Sequence, residues 1–314
     1  MKEELLKAFQ ALAPKVYEAK VSLENNEAAV AISSILSEPQ GLCLIEYLID
    51  KLSYGKQALY LTGEFISRDR LRRLIETSYQ AGEQEALKIL LVYYDQIWIY
   101  SSDNPIGFHD AAQKLTASAA TNSTTVTLKL CLDCSRPLDS SLTECNFCSN
   151  SNLLEILELV LAEPARVALK QGQFLELYVK ECLAKCGTDL IGYSVSQRGP
   201  KGYIGVEYQV QGEPVEIDVH GFAQPLTILL CEVKTAQKIT LNELRRVENV
   251  LQGLLDRVNN LSQLNASYRK LFVITGEFDQ NIPRKTYVRK NWELIDREAI
   301  SNLVEELKRI QQEL

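Results

Sequence analysis

The chain has 314 residues, 46% of them hydrophobic and 24% charged, which suits two or three globular domains and excludes a disordered or low-complexity polypeptide. Its formal net charge of −7 argues against adhesion to nucleic acid through bulk charge, because that binding is driven by counterions released at basic surfaces. No apolar run approaches the roughly 20 residues of a membrane helix, and the opening "MKEELLKAFQALAPKVYEAK" reads as an amphipathic helix rather than a signal peptide, so a cytoplasmic protein without membrane partners is expected.

Residues 1 to about 118 are predicted to be mostly helical, with apolar positions at helical spacing in "EELLKAFQALAPKVYEA", "GLCLIEYLIDKL" and "SRDRLRRLIETSYQAG". Two strand-like pieces, "QALYLT" and "ALKILLVYYDQIWIYSS", interrupt them. The expectation is an α-rich domain over 1–120 with a small sheet, winged-helix-like, in a sensor or specificity role. Arg68, Arg70, Arg72 and Arg73 would then mark its DNA-reading helix, against the plainer reading of a solvated helix face. The polar stretch "TASAATNSTT" reads as a linker that places a domain boundary near residue 120, and "TVTLKL" as a strand beyond it.

Four of the eight cysteines stand in "CLDCSRPLDSSLTECNFC", as Cys131, Cys134, Cys145 and Cys148. Two C-x2-C pairs separated by ten residues let two tight turns present four thiolates at tetrahedral corners, which suits a structural Zn²⁺. Disulfides are disfavoured without a secretory signal, and four cysteine ligands leave no open position for chemistry. A zinc ribbon is therefore expected over 121–152. Its sequence is acidic to neutral, which favours a spacer over a DNA contact. Cys43, Cys182, Cys186 and Cys231 read as small buried apolar residues.

Beyond the cysteines, "NLLEILELVLAEP" is predicted to be a helix that Pro164 ends, and "ARVALKQGQFLELYVKECLAKCG" a second helix capped by Gly187. "VEYQVQGEPVEIDVHGF" reads as a hairpin turning near "QGEP", "LTILLCEVKT" as a core strand and "LNELRRVENVLQGLLDRVNNL" as a long amphipathic helix. "KLFVIT" follows as a strand, then "WELI" and a terminal helix with Asp296 as its N-cap.

The stretch "VEIDVHGFAQPLTILLCEVKT" places Asp218, Glu232 and Lys234 in strands that otherwise read as core, where charges are excluded unless paired. Residues two apart on a strand share a face, so Glu232 and Lys234 project together while Val233 turns to the core. Thirteen residues separate Asp218 from Glu232, enough for the chain to loop and return beside itself. Carboxylates on adjacent strands can share a divalent cation, and Mg²⁺ suits them because it prefers hard oxygen ligands. A salt bridge at the rim of a sheet is the bland alternative.

The order of "GQFLELYVKECLAKCG", "VEIDVHGF", "LLCEVKT" and the closing "LFVITGEF" and "NWELIDREAISNLV" resembles the PD-(D/E)xK nuclease superfamily, with its restriction-endonuclease-like fold, over residues 165 to 314. The closing segments are similar to Mrr-type and Holliday-junction-resolvase-like members, although Glu216 rather than proline stands two residues before Asp218. The resemblance implies a multidomain α+β chain whose nuclease domain, 153–314, has a central mixed sheet. It implies phosphodiester hydrolysis with Mg²⁺ or Mn²⁺ held by Asp218, Glu232 and the backbone of Val233, Glu176 acting on bound water or a second metal, and Lys234 serving the attacking water. Gln237 and His220 are possible accessory residues. Implied partners are nucleic acid, DNA ahead of RNA, and a second copy of the chain, in restriction, defence or repair. A module that kept the fold but lost catalysis is the alternative. Arg245, Arg246, Arg269, Lys270, Arg284, Lys285, Arg289 and Lys290 mark a local basic stretch, read either as solvated surface or as phosphate-tracking.

Overall fold

A computed structural model describes the chain except residues 13–14, 17–25, 54–57, 102, 191–192, 195–200, 203–205, 211–212, 224–226 and 313–314. The structure is mixed α/β with several sheets, and its contacts group residues 1–33 with 171–314 in one unit and residues 34–170 in another. This division departs from boundaries at 120 and 152. The first helix packs into the core of the C-terminal half, and the cysteine segment shares a sheet with residues before it.

The first unit begins with α1 (Lys2–Leu12), whose Leu5, Phe9 and Leu12 share one buried face, and β1 (Lys15–Val16). Helix α2 (Glu27–Ser34) leads into the second unit through a 3-10 turn at Ile35–Ser37. There follow α3 (Gly41–Ser53), β2 (Ala58–Thr62), α4 (Arg68–Gln80) and α5 (Gln84–Tyr94), which continues as a π-helical turn over Asp95–Ile99. Thus residues 86–99 of "ALKILLVYYDQIWIYSS" are helix where strand was expected. Ala86, Leu90, Tyr93 and Ile97 are buried at helical intervals, and the aromatic and β-branched content that suggested a strand fills the other sides. The π turn aims Gln96 at edge strand β2. There its amide accepts from Tyr60 N–H at 3.0 Å and donates to Tyr60 C=O at 2.5 Å, closing an edge that would otherwise be open.

Helix α6 (Pro105–Thr116) is N-capped by Asn104, which accepts from Gly107 N–H at 2.9 Å. Strands β3 (Thr121–Cys131), β4 (Pro137–Leu138) and β5 (Leu153–Leu161) join β2 in an antiparallel sheet of order β2-β5-β3-β4. The expected linker is instead a short turn and the start of β3, where Thr121 pairs with Leu161. The expected helix at 153–163 is β5, the central strand, whose apolar residues serve both faces and so mimic a buried helix. Pro164 starts α7 (Glu163–Lys170) rather than ending a helix, because its missing N–H costs nothing in a first turn.

The chain re-enters the first unit with α8 (Gln173–Lys185), followed by Gly187 at φ +80°, as its capping role requires. Strands β6 (Asp189–Leu190), β7 (Tyr193–Ser194) and β8 (Lys201–Gly202) precede β9 (Val206–Val210) and β10 (Glu213–Ile217). The last two form the expected antiparallel hairpin, with β1 on the far side of β9. Residues 211–212 of its turn lie outside the described residues.

Next come β11 (Val219–Ala223), β12 (Thr227–Lys234), β13 (Lys238–Ile239), α9 (Leu241–Ser262), β14 (Ser267–Ile274) and β15 (Glu277–Phe278). The chain closes with α10 (Arg284–Arg289), β16 (Trp292–Ile295), α11 (Arg297–Ile300) and α12 (Leu303–Gln312). A five-stranded mixed sheet has the order β16-β14-β12-β11-β6; β12, β14 and β16 are parallel, and β11 is antiparallel to β12 and β6.

Every residue of β12 before Lys234 is buried, which suits a central strand covered on both faces. A capping box of Thr240 and Glu243 starts α9, and its Leu251, Leu254, Leu255 and Val258 share a core with Leu5, Phe9, Leu230 and Phe272. Asp296 does not cap α11 with its side chain and pairs with Arg284 instead. Among the described residues, no helix is long and apolar enough to cross a membrane.

Candidate functional site

The step from β10 to β11 carries the chain out of the hairpin sheet and into the five-stranded sheet, and Asp218 stands at that bend. Val219 pairs with Cys231, so the antiparallel register continued by one residue brings Asp218 opposite Glu232. Asp218 is 5% exposed, and its Oδ2 accepts from Val233 N–H at 2.7 Å. Lys234 Nζ lies 2.6 Å from Glu232 Oε1 and 3.9 Å from Asp218 Oδ2. The strand alternation thus places Glu232 and Lys234 together, as their spacing implied, and leaves Val233 buried.

Glu176 comes from the first turn of α8. Gly172, just before that helix, has φ +74°, and a Cβ on it would lie 2.9 Å from Thr235 Oγ1, immediately after β12. This glycine lets the N-terminus of α8 abut the end of β12. The sequence offered only a glycine ahead of a helix as its signal, and Thr235 is distant along the chain.

The electrostatics show that the four groups share one field. Burial first, then the charges of Glu232 and Glu176, hold the Asp218 carboxyl well above the usual carboxylate range, against the opposing pull of Lys234 and the Val233 amide. Burial pulls the Lys234 ammonium down, but Asp218 and Glu232 outweigh it and raise the group above an ordinary lysine. Three carboxylates thus share one field with one ammonium, and carboxylate oxygens are the donor type that a hard divalent cation prefers. Glu176, Asp218 and Glu232 are not drawn together within 4.8 Å as the four cysteines are, and that cysteine quartet is the close cluster of potential ligands among the described residues.

His220 does not belong to this site. It lies in the core, its Nε2 hydrogen-bonded to Tyr208 Oη and its ring 5.5 Å from that of Phe9. Burial lowers its pKa to about 3 and leaves it 1% exposed, so the imidazole is a weak base out of reach of a solvent-facing substrate. Gln237 is exposed beyond the strand, and its carbonyl accepts from Glu277 N–H at 2.9 Å, joining β13 to β15. Glu216 is exposed on β10.

In the second unit, Cys131, Cys134, Cys145 and Cys148 bring their sulfurs within 4.8 Å of one another, close enough to hold a metal ion such as zinc. Two turns of the same design present them. Ser135 and Ser149, each following the second cysteine of a pair, adopt φ +61° and +56° and donate N–H to the carbonyls of Cys131 and Cys145 at 2.9 and 2.8 Å. Cys131 N–H and Cys145 N–H donate in turn to Arg136 and Asn150 carbonyls. Desolvation opposes ionisation of Cys145, but N–H groups of Phe147 and Cys148 aimed at its sulfur prevail and lower its pKa to about 7. Leu138, Leu142 and Leu153 pack against the cysteines, and Arg136 stacks 4.4 Å from the Phe147 ring. Of the other four cysteines, Cys43, Cys182 and Cys231 are buried and Cys186 is half-buried.

No protein-family model matches the chain, and no curated protein matches it. A solved structure described as protein VC1899 from Vibrio cholerae is similar at a TM-score of 0.40 and 14% identity, over 95% of this chain and 57% of that one. The chain therefore spans a little over half the length of that protein, and the likeness is too slight to carry an argument about either.

Proposed function

We propose that the unit of residues 1–33 and 171–314 is a metal-dependent nuclease of the PD-(D/E)xK superfamily that hydrolyses phosphodiester bonds of nucleic acid, DNA ahead of RNA. The convergence of Glu176, Asp218, Glu232 and Lys234 from α8, the β10–β11 bend and β12 carries this reading. A salt bridge at a sheet rim would need neither a third carboxylate nor a buried aspartate on a strand amide.

Asp218 and Glu232 would hold Mg²⁺ or Mn²⁺, which supplies charge neutralisation on a phosphate and acidifies water. The protein's own groups do the rest. Val233 N–H fixes the Asp218 carboxylate. Lys234, kept protonated by its carboxylate neighbours and 45% exposed at its side chain, presents a positive charge to an incoming phosphate oxygen. Glu176, from the first turn of α8, would orient water. The cysteine quartet would hold structural Zn²⁺ in the other unit, whose role would be sensing or specificity.

One observation favours a second reading, an idle binding module: Lys234 pairs with Glu232, and Asp218 accepts from a backbone amide. Supercoiled plasmid, linear duplex, single-stranded DNA and RNA, each incubated with Mg²⁺, Mn²⁺ or EDTA, separate the two. Cleavage that requires metal and is absent from Asp218→Ala and Lys234→Ala is the expected result. Folded wild type that leaves all four substrates intact under every condition overturns the nuclease.

A further inference from the structure

A second charged group lies in the same unit and takes no part in the carboxylate site. Arg284, Lys285 and Arg289 on α10, Lys290 just after it, and Arg245 and Arg246 on α9 are all exposed. A contact joins the two helices: Lys290 Nζ lies 3.0 Å from Glu248 Oε1 of α9, and the Arg245 charge acts on Tyr287 of α10. Glu248 offsets Lys290 and Asp296 offsets Arg284, while Glu243, beside Arg246, is already held by the Thr240 cap. Lys285 and Arg289 have no anionic partner among the described residues. In a chain of net charge −7 this face reverses the local sign.

Its position connects it to the site. The parallel register aligns Lys234 with Ile274 and Val273 with Ile295, so the ends of β12, β14 and β16 form one edge. Asp296 follows Ile295, and its ion pair places Arg284 at that edge, two strands from Lys234, or about 10 Å at ordinary strand spacing. From there α10 runs to Lys290, which pairs with Glu248 of α9. Val288 is the large apolar residue exposed on α10, too little for the core of a protein interface. Tyr287 is buried, so α10 offers no aromatic face on which an unpaired base could stack. These two facts select a backbone-reading surface for paired strands.

We propose that the α9–α10 face binds the sugar-phosphate backbone of a nucleic-acid duplex and leads it to the edge that holds Asp218, Glu232 and Lys234. The link to cleavage rests on the nuclease reading; binding by the face does not.

The test uses full-length Asp218→Asn as parent and fluorescein-labelled DNA, as a duplex of three helical turns and as a single strand of equal length, with binding followed by anisotropy over a salt series. Lys285→Ala with Arg289→Ala removes two unpartnered surface charges, and Arg246→Glu reverses a third without touching the Tyr287 contact. The double variant is expected to melt like its parent, to bind duplex several-fold more weakly, and to show a log K against log salt slope smaller by about 2, one unit per lost phosphate contact. Arg246→Glu should weaken binding further. A parent slope retained in the double variant, a parent that does not bind duplex at low salt, or tighter binding of the single strand would overturn the proposal. Reduced slope in the variant together with wild type that cleaves nothing would sink the nuclease and leave the face standing. Metal-dependent cleavage with an unchanged slope would do the reverse.

Discussion

Asp218 carries a charge that the folded protein resists. Its folded pKa is raised, so the protonated form is favoured by folding, and that contribution is lost as pH rises from about 3.8 through the higher folded value. Asp218→Asn keeps an acceptor for Val233 N–H and removes the charge. Without divalent metal at neutral pH it should raise the melting temperature, by about 2–4 °C for each kcal/mol gained, while abolishing cleavage. A lower melting point than wild type in metal-free buffer would contradict the buried-charge argument. His220 has the opposite sign. Its folded pKa is depressed to about 3, so its contribution is intact above the unfolded pKa of about 6.5 and is lost as pH falls through that window. The loss is on the order of a few kcal/mol. Urea unfolding at stepped pH should show a shallower decline in His220→Gln, which still offers Tyr208 an acceptor; identical slopes would count against a neutral buried imidazole.

At the scale of elements, Gly172 decides where α8 begins against β12. Gly172→Ala must adopt a positive φ and push Thr235 aside, so it is expected to displace Glu176 and lower the cleavage rate at least tenfold, with substrate binding and zinc content unchanged. An unaltered rate would remove Glu176 from the machinery. The strands that hold the other three residues, and the long helix α9 after them, were legible in the sequence. Buried parallel strands such as β12 and β14 are continuous apolar runs, and α9 shows a clean helical stripe with its cap. The segments at 86–99 and 153–161 were exchanged between helix and strand because both are apolar on more than one side, and only their neighbours decide the matter: Gln96 closing on Tyr60 for one, β2 and β3 flanking β5 for the other. The face of His220 was unreadable for a similar reason. Phe9, from the far end of the chain, covers it.

At the scale of the whole molecule, each unit holds one of the two tryptophans, Trp98 in residues 34–170 and Trp292 in the other. In a Trp98→Phe chain, stripping zinc with a chelator should leave the Trp292 fluorescence melt unmoved while circular dichroism records an earlier loss of structure; Cys145→Ser should reproduce that loss without chelator. A Trp292 melt that falls in step with zinc removal would show the two units to be one cooperative body. The interrupted first unit also governs the order of events on the ribosome. Helix α1 is made early, yet Leu251, Leu254 and Leu255, which complete its core, arrive only after the whole second unit has been synthesised. At ordinary elongation speeds the apolar face of Leu5 and Phe9 waits roughly 10–50 s for its partner, so this protein's yield depends on what shelters the newly made helix during that interval.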